Sequence, residues 1–172
     1  MIGLKRKRKV PADVRAKLDR DERVVAFAST VDAEAAVVVT TRGLWLPGRG
    51  RLGWHEIHKA TWVGSRLTVV PAVAVGEGDG YTVMADDDAV VVALTDPDDV
   101  PGQVRDRVTR SVAFTAHHPL PGGGVRVVGR RVPGVDGVVW HVRYDDGTDP
   151  ADPDIVTQTA ELVAEVARPQ PE

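Results

Sequence analysis

The sequence predicts an α+β protein, in which seven short antiparallel strands form a curled sheet closed by one helix and followed by a ββα unit. Residues 23–94 contain short apolar runs separated by tight-turn signals. A sheet of that many strands must curl or split in two to hide its edges. Residues 98–115 then carry a valine at every fourth position, the spacing of a one-sided helix that can close an open end of the sheet.

The elements before this helix follow from apolar patterning and turn residues. A short helix is expected over 11–19, because proline is tolerated in a first helical turn and Val14 and Leu18 lie four apart. Trp45 is expected to face opposite to its neighbours in its strand. The fourth apolar segment is too long for one flat strand, which predicts a kink near His55 and Glu56. The strands are predicted at 23–29, 34–40, 43–46, 51–62, 66–70, 81–85 and 89–94.

The C-terminal third predicts a small extension. Beyond a turn-rich joint at 119–124, the segments 125–132 and 138–144 indicate a hairpin, and residues 155–167 indicate a last helix. Such a unit is too small to be stable alone, so we expect it to dock on the first. The predicted division is therefore a basic disordered tail (1–9), a strand-rich unit with its short helix (10–118) and a ββα extension (119–172).

Composition limits the classes of function. The chain has 172 residues and no cysteine, which excludes disulfides and thiolate metal sites. Its longest apolar runs are far shorter than the ~18 residues of a membrane span, and the charged start is unlike a secretory signal. We therefore expect a cytoplasmic protein without a transmembrane segment. Five basic residues stand together at 5–9, and removing their charge from the net −3 leaves −8 on the rest.

A family resemblance rests on the phrase TTRGLWL (residues 40–46), followed by a turn and WHEI (54–57). With the strand order, it resembles the pleckstrin-homology-like (PH-like) domains of uncharacterised actinobacterial proteins, over about residues 20–116. The resemblance implies a seven-stranded antiparallel bent sandwich, or partly open barrel, capped by one helix. Such domains usually serve as platforms for lipid headgroups, peptides or partner proteins. The first hairpin here, residues 30–34, is acidic, unlike the basic hairpin of lipid-binding relatives.

Residues that could carry catalysis or hold a metal are few. His55 and His58 are three apart, but on a strand that spacing places them on opposite sides, which favours two surface histidines over a metal pair. His117 and His118 are expected at a helix end, where imidazolium complements exposed carbonyls, and His141 is expected to be structural. The glycine-rich loops precede strands, whereas phosphate cradles precede helices. No catalytic residue, metal ligand or cofactor is predicted.

Three hypotheses of function remain open. The leading one is a non-catalytic cytosolic binding or adaptor module that recognises a protein partner. Its candidate partner-binding residues form an aromatic and basic patch if Trp54 faces solvent, and they are Arg49, Arg51, Trp54 and His55.

The alternative is a nucleic-acid- or ribosome-associated protein that uses a basic arm, which could also attach weakly to an anionic membrane surface. The arm consists of Lys5, Arg6, Lys7, Arg8 and Lys9. The third hypothesis is an enzyme whose site lies between the two units, with His117, His118 or His141 beside a carboxylate in a deep pocket. The open edges of the predicted sheet are also compatible with a homodimer.

Overall fold

The computed structural model describes residues 9–169 and residue 171, which form three α-helices and eleven strands. The helices are α1 (Ala12–Lys17), α2 (Val100–Ser111) and α3 (Pro153–Val166). The strands are β1 (Val24–Ser29), β2 (Ala36–Thr40), β3 (Gly43–Leu46), β4 (Gly50–Gly53), β5 (Ile57–Val63), β6 (Arg66–Gly78), β7 (Tyr81–Asp86), β8 (Val90–Ala93), β9 (Val112–Leu120), β10 (Gly123–Arg130) and β11 (Val139–Tyr144). No helix in this described part of the chain is long and apolar enough to cross a membrane.

Strands β1 to β4 form an antiparallel meander with two apolar faces. Leu44 and Leu46 point into the main core, whereas Trp45 between them points to the opposite face. The predicted orientation of Trp45 is confirmed. Val14 of α1 and Leu18, which directly follows the helix, pack on that outer face, and their spacing is the one that predicted the helix.

The predicted kink near His55 is confirmed. A 3₁₀ helix, Trp54–Glu56, separates β4 from β5, and the backbone N–H of Gly53 donates to Glu56 Oε2 at 2.8 Å. This turn points the Trp54 ring into the core, where its Nε1 donates to the carbonyl of Thr40 at 3.1 Å. The segment therefore contributes to both sheets.

The second sheet has the order β5-β6-β7-β11-β10-β9, with β8 paired to β6, and it curls into a half-barrel. Its longest strand, β6, pairs with β5 and β8 through its first half and with β7 through its second. The predicted strand at 66–70 thus continues to Gly78, and a turn at Asp79 and Gly80 leads into β7. One continuous strand joins the two halves of the molecule.

The expectation that all strands pair antiparallel is wrong. β11 lies parallel to β7, with His141 opposite Thr82 and Val142 opposite Val83, so the second sheet is mixed. The physical reason is that the β6–β7 ribbon extends past the first unit. Its outer edge would leave backbone groups unpaired, and β11 satisfies them.

The predicted extent of the valine-striped helix is also wrong at its C-terminal end. α2 ends at Ser111, and the chain continues directly into β9, which pairs with β10. His117 and His118 therefore lie on a strand and do not end a helix. The predicted boundary between residues 118 and 119 falls within this same strand.

Two main apolar cores, with a smaller apolar cluster beneath α1, hold the elements together. Val100 and Val104 of α2 are fully buried in the main core, with Val108 packed against it, which confirms that the valine stripe packs on the sheet. The predicted hairpin of β10 and β11 is confirmed, and α3 covers one face of its sheet through Ile155 and Val163.

Candidate functional site

The two arginines of the predicted patch are held in ion pairs. Arg49 contacts Asp87 at 2.8 Å. Arg51 Nη1 lies 2.6 Å from Glu22 Oε2 and 2.8 Å from Asp19 Oδ2. Both guanidinium groups therefore have carboxylate partners within the chain, which leaves them little charge to offer a ligand.

The aromatic member of the patch is not exposed. Trp54 is 4% exposed, so the condition for the predicted patch, a solvent-facing indole, is not met. His55 is half-buried, and burial lowers its pKa, with the charge of Glu56 acting in the opposite direction. Of the predicted basic arm, Lys5, Arg6, Lys7 and Arg8 lie outside the described residues, and Lys9 is exposed.

Two of the histidines, His58 and His117, form pairs with carboxylates on the face of the second sheet opposite α3. His58 Nδ1 lies 2.6 Å from Asp86, which also binds Arg143, and His117 Nε2 lies 2.6 Å from Asp145. Burial, followed by the nearby arginine and lysine charges, lowers the pKa of His58 to about 4. At neutral pH this imidazole is uncharged and a weak base.

These pairs do not form the pocket that the enzyme hypothesis requires. A cleft of about 330 Å³ lies beside His58 and Asp86, but its lining does not include His117, His118 or His141. Within the described ranges there is also no group of three or more histidines and carboxylates that could hold a metal ion.

A different group of side chains, the arginine cleft, lies where α2 ends. It is a cavity of about 220 Å³. Its lining contains three arginines and no carboxylate. The residues are Trp54, Arg107, Arg110, Ser111, Arg131, Val132 and Pro133.

The local sequence explains how the three arginines converge. Arg107 and Arg110 are three apart on α2, so their side chains leave the helix on one side. Arg131 directly follows β10, and its backbone N–H donates to the carbonyl of Ser111 at 2.8 Å. The Arg131 guanidinium also donates to the carbonyl of Arg110 at 2.8 Å and thereby caps the C-terminus of α2.

Arg107 has a buried donor without a partner. Its Nε is enclosed and makes no hydrogen bond. Burial lowers the pKa of Arg107, the charge of Arg110 lowers it further, and Asp106 acts in the opposite direction. Arg107 and Arg110 have no carboxylate within ion-pair distance among the residues that the structure describes.

A fourth guanidinium lies behind the cleft. Arg130 is 6% exposed, and it donates to Ser111 Oγ at 2.8 Å and to the carbonyl of Ile57 at 3.3 Å. Its Nε has no partner, and burial lowers its pKa. Ser111 thus joins the buried charge of Arg130 to the lining of the cleft.

Sequence reasoning missed this site, although two signals pointed to it. Arg107 has Gln103 and Ser111 at the positions where a helix normally places a compensating acid. Arg130 and Arg131 form an adjacent pair just before a loop. Their proximity to α2 depends on the β9–β10 pairing, which was not predicted.

The charged side chains that line the cleft are all arginines, so the charged group that it favours is an anion. It lacks a nucleophile with an adjacent base. Comparisons of this chain with models of protein families, with curated proteins and with solved structures return no match.

Proposed function

We propose that this protein is a non-catalytic binding module on a PH-like scaffold, and that it recognises an acidic segment of a partner protein at the arginine cleft. The observation that carries the proposal is the enclosed, unpartnered Nε of Arg107, placed beside Arg110 and in front of the buried Arg130.

Electrostatics supports an anionic ligand. Arg107 is partly buried without a carboxylate partner among the described residues, and a carboxylate that accepts bidentate hydrogen bonds from its guanidinium offsets the cost of that burial. Like-charge repulsion between Arg107 and Arg110 falls when an anion lies between them. Binding thus relieves two unfavourable features of the free protein.

The rest of the lining supports a peptide as the source of the anion. Trp54, Val132 and Pro133 give the cleft an apolar wall next to its charges. A segment in which acidic and apolar side chains alternate matches both parts. The scaffold part of the proposal is supported by the chain order, in which the β1–β4 meander is followed by β5, β6, β7 and β8 and then by α2.

The test is binding of a fluorescein-labelled Glu-Leu-Glu-Glu-Leu-Glu peptide, followed by anisotropy. We expect Arg107→Gln and Arg110→Gln each to weaken binding by about tenfold, the loss typical of a close charge pair. The matched control is Arg105→Gln, an exposed arginine of the same helix that does not line the cleft. Equal binding by wild-type protein and Arg107→Gln contradicts the proposal.

Nucleic acid is the competing polyanion, through residues 5–9. A single-stranded RNA hexamer with the same label tests it in the same assay. RNA binding that survives Arg107→Gln but is lost when the five basic residues of the arm are changed to glutamine would replace the proposed function with the nucleic-acid one.

A further inference from the structure

Strand β9 forms one edge of the second sheet, and among the residues that the structure describes no strand pairs with its outer side. Its inner side pairs with β10. Thr115 and His117 are exposed, and Phe114 is 36% exposed although its ring contacts Trp140. The backbone of this edge is therefore accessible to another strand.

The pairing with β10 determines which backbone groups of β9 face outward. Gly124 of β10 lies opposite Pro119. The N–H of Gly124 donates to Thr148 Oγ1 at 2.9 Å and its carbonyl accepts from the same hydroxyl at 3.2 Å, so both groups point away from β9. Hydrogen-bonded and non-hydrogen-bonded positions alternate along an antiparallel pair. The backbone groups of Pro119, His117 and Thr115 therefore point to the open side.

The edge formed by β9 has little protection against pairing. Soluble proteins normally protect a sheet edge with charged side chains, proline or a bulge. The other edge of this sheet, β5, carries Lys59, whereas the nine residues of β9 include no lysine, arginine, aspartate or glutamate. Pro119 near its end and a bulge near its start leave residues 114–118 open. Asp145 lies 2.6 Å from His117 and matches the charge of that histidine when it is protonated.

We propose that β9 is the interface of a homodimer, in which the β9 strands of two copies pair antiparallel about a two-fold axis at Ala116. This register places Thr115 of each copy opposite His117 of the other. The outward groups of both residues then pair in about four backbone hydrogen bonds. Phe114 of each copy lies opposite His118 of the other, which covers its exposed ring.

The sequence of β9 favours a second copy of this chain as the occupant. The strand brings no acidic or basic side chain other than histidine to the contact, so two identical strands meet without like-charge repulsion. A two-fold dimer is also the commonest form of homo-oligomer. The dimer is independent of the proposed function, because no residue of β9 lines the arginine cleft.

Sedimentation equilibrium of the full chain tests the dimer. At about 100 μM a contact with a micromolar Kd is mostly formed, so we expect twice the mass of one chain. Ala116→Lys brings two added charges together at the axis and is expected to weaken the dimer by at least about tenfold. The matched control is Thr61→Lys at an exposed position on β5, which should leave the dimer intact. A monomeric wild type, or equal weakening by both variants, overturns the proposal.

Hydrogen exchange of the wild type tests which backbone groups form the contact. We expect the amides of Thr115 and His117 to exchange at least about tenfold faster when dilution separates the copies. The amide of Ala116, which faces β10, is expected to exchange slowly at every concentration. Slow exchange of Thr115 and His117 in a monomeric protein would assign the edge to another segment of the same chain and would overturn the dimer.

The absence of cysteine from the sequence allows a test of the register. At the axis, the two Ala116 Cα atoms would form a non-hydrogen-bonded pair about 4.5 Å apart, which suits a disulfide. Ala116→Cys is therefore expected to give a covalent dimer on mild oxidation. In the matched control, Ala113→Cys, the two thiols would be about 20 Å apart along the strands and should not cross-link. Equal cross-linking of the two variants overturns the proposed register.

Discussion

The indole N–H of Trp45 donates a 3.0 Å hydrogen bond to the carboxylate of Glu22, which joins the segment after α1 to β3. Glu22 also accepts from the hydroxyl of Thr40 at 2.5 Å and pairs with Arg51 at 2.6 Å. Arg51 in turn lies over the Trp45 ring, with its guanidinium carbon 5.7 Å from the ring centroid. These contacts explain why Arg51, which the sequence predicted to bind a partner protein, instead stabilises the fold.

Replacing Glu22 by glutamine tests the importance of this buried carboxylate. Each carboxylate oxygen of Glu22 accepts from two donors, and the amide replaces one of these oxygens with an NH2 group that cannot accept. Arg51 also loses counter-charge, so we expect a loss of about 2–3 kcal/mol in the free energy of unfolding. Urea denaturation measures it. Glu34→Gln, at an exposed position, is the control and should change stability by less than about 0.5 kcal/mol.

The pH dependence of this contribution has a definite sign. Burial alone raises the pKa of Glu22, but hydrogen bonds from Thr40, the Asp19 backbone and Trp45, with the charge of Arg51, lower it below 4.5. Its stabilisation is therefore present above the unfolded pKa and lost as pH falls through the folded one. Acid denaturation of Glu22→Gln should be less steep than that of the wild type.

His58 predicts a second pH effect. Its pKa falls from 6.5 in the unfolded chain to about 4 in the fold, so the unfolded state binds more protons between these values. Stability is expected to decrease as pH falls from 6.5 to about 4, and His58→Gln should reduce that decrease. The imidazole proton signal of His58, followed by NMR, should titrate near pH 4, and titration near pH 6.5 contradicts the prediction.

Two glycines predict opposite results when changed to alanine. A Cβ at Gly43 would lie 2.2 Å from the carbonyl oxygen of Leu52, so Gly43→Ala forces β3 and β4 apart and should cost more than about 2 kcal/mol. A Cβ at Gly102 on α2 meets nothing within 4 Å, so Gly102→Ala should stabilise by about 0.5–1 kcal/mol through helix propensity. Thermal denaturation measures both, and equal effects would contradict the packing at Gly43.

The two apolar cores are expected to unfold together, because β6 belongs to both halves of the molecule. Val100→Ala in the first core and Val163→Ala in the second should each cost about 2 kcal/mol and should shift one shared transition. Amide exchange at Val92 and Val127 reports the two regions separately. Different opening free energies at these two amides would show instead that the halves unfold independently.

Local patterns predicted much of the fold. The alternation around Trp45 placed it on the outer face, the length of the segment around His55 required a kink, and the valine spacing identified the face of α2. In each case, a period or a length within one short stretch determines the structure. The end of α2 was mistaken because Val112 continues the helical spacing, while no glycine or proline between Ser111 and His118 marks the change to a strand.

The remaining features depend on residues far apart in the chain. β11 pairs with β7 because the β6–β7 ribbon has an unpaired outer edge. No pattern within a short stretch of sequence indicates which strand will occupy that edge. The arginine cleft likewise depends on the β9–β10 hairpin, because the pairing of these strands brings Arg131 into contact with Arg110. Conversely, Arg51 was predicted to be a free binding residue because its ion-pair partner, Glu22, lies in a segment whose sequence has no periodic pattern. Nothing local therefore indicated that Glu22 would be buried beside it.

The parallel pairing of Thr82 with His141 has a consequence for synthesis at the ribosome. β7 emerges about sixty residues before the strand that completes its edge, a separation that slows pairing. During that interval the nascent ribbon presents unpaired backbone next to exposed valines, and neighbouring chains on one polysome compete for it. Translation that pauses before residue 139 prolongs this exposure, so the yield of native protein should depend on how quickly the last third of the message is read.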